Sequence, residues 1–184
     1  MTWYSGQVLR SVRWVETPVH AVEFYKDEAV LIDHLEQYVL EGRRRDERTV
    51  IVATPERRRA LSWRFVDGED AFVGLDAAST LRRFMVAGHP HPALFEESVG
   101  SVVQEMAGAG VRAYGEMVAL LWGEGHTQAA LELEELWNEL QHDIDFPLLC
   151  AYPMAEFEGR DGIASVCDTH SHVGLPPIPQ KLSA

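Results

Sequence analysis

Cysteine is scarce. Two residues, Cys150 and Cys167, in a chain of 184 are too few for a disulfide scaffold, and nothing points to an oxidising compartment. Positive charge is short as well: 16 Lys and Arg stand against 29 Asp and Glu, for a net charge of −13. That balance argues against direct nucleic-acid binding, which needs clustered basic side chains, and against adhesion to anionic membranes. No apolar run approaches the roughly 20 residues of a membrane-spanning helix. The N-terminus lacks a basic segment followed by an apolar stretch, so no signal peptide is expected and the chain is expected in the cytoplasm.

Familiar catalytic signatures are missing too. A phosphate cradle needs G-x-x-x-x-G-K-[ST] after a strand, but the exit of the second expected strand reads "TPERRR", and no G-x-G-x-x-G occurs. Ser62, Ser79 and Ser98 sit in helical runs rather than on a nucleophile elbow, and Cys150 reads as a small buried hydrophobe within a strand. "CDTHSH" puts Cys167, His170 and His172 within six residues, and "HPHP" adds His89 and His91, but neither matches a strong zinc spacing. No enzyme activity, cofactor or metal is expected.

What is present is a full-sized core: 46% hydrophobic and 24% charged residues fit one globular domain. Residues 1–17 form an appendage in which Val8, Val12 and Val15 recur at helical spacing, a stripe that would also suit a homodimer contact. Strands are expected at "VHAVEFY", "TVIVA", "AFVGL", "VRAY" and "FPLLCAY". Helices are expected at 28–41, ending at Gly42, then at 54–65, 77–88, 93–107, 116–124 and 128–141. Asp27, Thr54 and Asp76 stand where helix caps belong. The last helix turns Leu133, Leu136, Trp137 and Leu140 inward, and its glutamates form an acidic outer face. Residues 155–184 read as polar, ending in a Pro-rich tail over 174–184. The alternation of strands and helices predicts an α/β domain with a mainly parallel sheet of about five or more strands flanked by helices.

In such sheets ligands bind beyond the carboxyl ends of the strands. Glu116 lies there, where a strand hands over to a helix. It is a ligand clamp, a general base or only a helix-start charge worth about 0.3–1 kcal/mol. Arg112 is a candidate partner for it. Phe24, Tyr25, Trp122, Trp137 and Tyr152 either line an apolar pocket around a few polar groups or fill the core.

"HAVEFY", "VRAYGEMVALLWGEG", "LELEELWNEL", "FPLLCAYPM" and "THSHV", in that order, resemble the MEDS family of sensory domains from methanogens and methylotrophs, over residues 18–173. The resemblance implies a RecA/KaiC-like three-layer fold without its phosphate loop, and a signal-input domain for hydrocarbon derivatives or related small molecules. Its motif positions are His20, Phe24, Tyr25, Gly115, Glu116, Met117, Glu134, Trp137, Asn138, Cys150, Tyr152, Pro153 and His170. The function expected is a stand-alone sensor of a small, largely apolar organic ligand. Tyr25, Glu116, Met117, Trp122 and Tyr152 are its expected ligand contacts, and a separate kinase, anti-sigma-type or DNA-binding regulator is its partner. The alternatives are a ligand-independent interaction module and a degenerate nucleotide hydrolase.

Overall fold

A computed structural model describes residues 19–62, 72–157 and 162–174. The expected N-terminal helix, the end of the second helix, the first residue of "AFVGL" and the Pro-rich tail after Gly174 lie outside the described residues.

The chain runs β1 (His20–Tyr25), α1 (Glu28–Arg44), β2 (Arg48–Ala53), α2 (Pro55–Ser62), β3 (Phe72–Asp76), α3 (Ala77–Phe84), β4 (Met85–Val86) and β5 (His89–Pro90). Next come α4 (Pro92–Phe95), a π turn, α5 (Ser101–Met106), β6 (Val111–Gly115), α6 (Met117–Gly123) and α7 (Thr127–Asp143). The described chain ends with β7 (Leu148–Pro153), α8 (Ile163–Asp168) and β8 (His172–Gly174). Six strands form one sheet in the order β3-β2-β6-β7-β1-β8, every pair parallel.

Side chains alternate across each strand, so the sheet feeds two cores. Ala21, Ile51, Ala53, Tyr114, Leu149 and Ala151 pack against Leu31, Leu35, Tyr38 and Val39 of α1. Val22, Phe24, Val50, Val52, Ala113, Leu148, Cys150 and Tyr152 face the opposite way, against α3, α5, α6 and α7. Helices on both faces explain why the central strands are almost unbroken apolar runs. Three layers result.

The structure corrects several boundaries. The helix expected to reach residue 88 ends at Phe84, because Met85–Val86 pairs antiparallel with His89–Pro90. Ala87 and Gly88 turn that hairpin with φ of 51° and 85°, so "HPHP" is partly strand. Gly42 lies inside α1, which runs on to Arg44. The glycine serves a close approach: a Cβ there would stand 2.5 Å from Nε of Arg112. The helix expected over 93–107 contains a π turn at Glu96–Gly100. The polar C-terminal segment holds α8 and β8, and β8 adds an edge strand to β1 through Ala21 and His172. A three-residue strand is too short to show a period. Ser171 secures it locally: its backbone N–H donates to His20 O at 2.9 Å, and its Oγ accepts from His20 N–H at 3.1 Å.

Candidate functional site

Two buried polar centres lie on opposite faces of the sheet. On the α1 face, α2 turns Arg57 inward at the carboxyl edge of β2, where it is 4% exposed. Arg57 pairs with Glu116, donates to both oxygens of Glu28 at 2.6 Å, and reaches the hydroxyls of Tyr25 and Tyr114 at 3.1 Å. Glu116 is the residue before α6, and its second oxygen accepts the Thr54 backbone N–H at 2.8 Å. Burial raises the Glu116 pKa, and Arg57 opposes that rise. Both carboxylate oxygens are thus held internally, and Thr54 spends its N–H on Glu116. Arg112 is not the partner of Glu116. It lies on the α1 face further down β6, paired with Glu47 and donating to Tyr38 O at 2.5 Å.

The other centre lies beneath α7. His20 comes from β1, Glu134 and Asn138 from α7, Cys150 and Tyr152 from β7, and His170 from the link between α8 and β8. Glu134 Oε1 accepts the Tyr152 hydroxyl at 2.7 Å and lies 3.4 Å from His170 Nε2. Its Oε2 lies 3.2 Å from His20 Nε2 and 3.4 Å from Cys150 Sγ. The two imidazoles are themselves 4.0 Å apart between ring centroids. Glu134 is fully buried, so the expectation that all glutamates of α7 face outward is wrong for this one. Glu135 and Glu139 are the exposed ones.

Electrostatics in this centre favour one ionised carboxylate. Burial alone raises Glu134, but His170, His20 and the Tyr152 hydroxyl more than reverse it, leaving the carboxyl below its ordinary range. Burial pushes His170 below its ordinary range, against the opposing pull of Glu134. The Cys150 thiol is pushed well up, by burial and then by Glu134.

Aromatic rings continue the layer. Phe24 stacks on Tyr152 at 6.0 Å and meets Phe157 edge-on at 5.2 Å. Trp122 meets Tyr152 edge-on at 5.9 Å, and Gly162 (φ +127°) closes over it, where a Cβ would lie 2.6 Å from the indole. Trp137 crosses Phe95 at 5.2 Å and covers Gly115, whose Cβ position is 3.4 Å from the indole. The indole N–H groups of Trp122 and Trp137 are buried without an acceptor among the described residues.

The expected ligand contacts therefore divide. Tyr25 and Glu116 belong to the Arg57 centre, whereas Met117, Trp122 and Tyr152 belong to the α7 face. The motif positions His20, Glu134, Asn138, Cys150 and His170 converge in one cluster, with Phe24, Gly115 and Trp137 in the surrounding core. Among the described residues, Cys167 and His172 do not join His170 in a close donor group. Arg57 is not among the expected site residues, and of the "RRR" run it alone is buried.

The family model described as MEDS, MEthanogen/methylotroph, DcmR Sensory domain, matches residues 19–171. No curated protein and no solved structure matches the chain.

Proposed function

This chain belongs to the MEDS family of sensory domains, and from that premise we propose that its sensing centre is the buried layer beneath α7. There it binds a small, largely apolar organic molecule carrying a hydrogen-bond acceptor. One observation carries the reading: two indole N–H donors, on Trp122 and Trp137, are buried without partners among the described residues, in the ring-lined layer that also holds Glu134. A buried donor left unpaired costs about 1–3 kcal/mol. A guest offering an acceptor removes that cost, and the rings of Phe24, Tyr152 and Phe157 supply apolar surface.

Response follows from the linkage of elements. A guest that displaces Trp122 or Trp137 shifts α6 or α7 against the sheet, and a regulatory protein that binds one arrangement better reads the change. The partner is a kinase, anti-sigma-type or DNA-binding regulator. A sensing rather than a catalytic role is supported by the enclosure of Glu134 and the pairing of Glu116 with Arg57.

The test is a thermal-shift screen of the purified protein against short alcohols, amines, ketones and halogenated hydrocarbons. At least one class raises the melting temperature, with an effect that saturates with concentration. A flat response to every class, alongside partner binding that ignores them all, leaves an interaction module instead.

A further inference from the structure

We propose that His20, Glu134, Cys150 and His170 bind one divalent d-block cation of the zinc class in tetrahedral geometry. The donor atoms of these side chains all lie within 4.8 Å of one another. With Glu134 Oε2 as the carboxylate donor, three separations are close to ideal: His20 Nε2 to Glu134 Oε2 at 3.2 Å and to Cys150 Sγ at 3.4 Å, and Cys150 Sγ to Glu134 Oε2 at 3.4 Å, while His170 Nε2 faces the other carboxylate oxygen at 3.4 Å. Zinc bonds of about 2.0–2.3 Å place tetrahedral ligands about 3.3–3.8 Å apart.

The outer hydrogen bonds fix both imidazoles for coordination. Asn138 Nδ2 donates to Thr169 O at 3.1 Å, so its Oδ1 is left to accept from His20 Nδ1 at 2.8 Å. That proton on Nδ1 turns a bare Nε2 toward the cluster. The Val166 carbonyl, which can only accept, takes the Nδ1 proton of His170 at 2.6 Å and does the same for the second ring. Ligating histidines use their second nitrogen in this way.

The cluster is short of donors. His170 Nε2 is buried with no hydrogen-bond partner among the described residues, and it faces a carboxylate oxygen that can only accept. Lone pairs pressed together in a buried layer repel, and a cation between them reverses the sign. Binding displaces the Cys150 proton to solvent. Thiolate and carboxylate then cancel the two charges of the ion, which leaves no net charge in the apolar layer. Sulfur and imidazole donors select the zinc class over magnesium or calcium. A histidine proton in place of the cation is the rival arrangement.

The decisive experiment is elemental analysis of the chelator-free protein, followed by cobalt titration of the stripped protein. We expect one equivalent of bound cation, together with tetrahedral cobalt bands and a thiolate-to-cobalt charge-transfer band that saturate at one equivalent. Cys150→Ser removes the charge-transfer band, Cys167→Ser keeps it, and Asn138→Ala keeps it while weakening binding about 10–100-fold. Wild-type protein with no bound cation and no saturable cobalt spectrum overturns the proposal. A charge-transfer band that follows Cys167 overturns it equally. These readouts use no organic molecule. A stoichiometric cation in a protein deaf to every organic compound therefore supports the metal centre and sinks the organic-ligand reading, and the converse result does the opposite.

Discussion

The Tyr152 hydroxyl on β7 donates a 2.7 Å hydrogen bond to Oε1 of Glu134 on α7, joining a helix to the middle of the sheet through an ionised, buried carboxylate. Bonds to charged groups contribute about 1.5–3 kcal/mol. Tyr152→Phe keeps the ring packing and removes only that bond. It lowers unfolding free energy by about 1.5–3 kcal/mol in urea titrations, and an unchanged midpoint contradicts the assignment.

Arg57 and Glu116 form a buried pair of a different kind. Removing one partner of such a pair strands the other and costs about 3–5 kcal/mol, whereas replacing both is often close to neutral. Arg57→Met therefore destabilises strongly, and Arg57→Met with Glu116→Gln recovers most of the loss. Glu28→Gln costs under about 1 kcal/mol, since its side chain is 58% exposed and exposed pairs contribute little. A double-mutant cycle in denaturant checks all three.

Gly42 sets helix propensity against space. Alanine in a helix gains about 1 kcal/mol over glycine, but its Cβ would meet Nε of Arg112 at 2.5 Å. Arg112 is held by Glu47 and by Tyr38 O, so it cannot swing away cheaply, and overpacking costs about 1–3 kcal/mol. Gly42→Ala is predicted to destabilise on balance, seen as a lower melting temperature.

Asp76 caps α3 by accepting the Ser79 backbone N–H at 2.8 Å, and that bond holds its carboxyl below the ordinary range. A carboxylate whose folded pKa is depressed stabilises the fold above its unfolded value, about 3.9 for Asp, and the contribution fades as pH falls through the folded value. At pH 7, Asp76→Ala loses about 0.5–2 kcal/mol. At a pH well below the unfolded value the gap to wild type narrows. Urea titrations at both pH values measure it.

The legible parts of this fold were those with local signals. Asp27 and Asp76 announce their helices and do cap them, through Ala29 and Ser79, and "TVIVA" reads as a strand covered on both faces. The α7-face centre had no such signal, because His20 and Cys150 are separated by 130 positions and meet only through the β1–β7 pairing. Family resemblance named these residues without showing that they touch. One clue was available. Glu134 occupies the stripe of Ala130, Leu133 and Trp137, and a carboxylate on an apolar helix face needs a partner. Arg57 was hidden in a run of three arginines, of which helical rotation buries only the first.

The central claim is that sensing happens beneath α7 and not at the Glu116 edge. Tryptophan fluorescence, titrated with the organic class that stabilises the wild type, tests it in three proteins. The account predicts a saturable change in wild type and in Glu116→Gln, and a change lost or weakened at least tenfold in Trp122→Phe. A response abolished by Glu116→Gln and untouched by Trp122→Phe would contradict it.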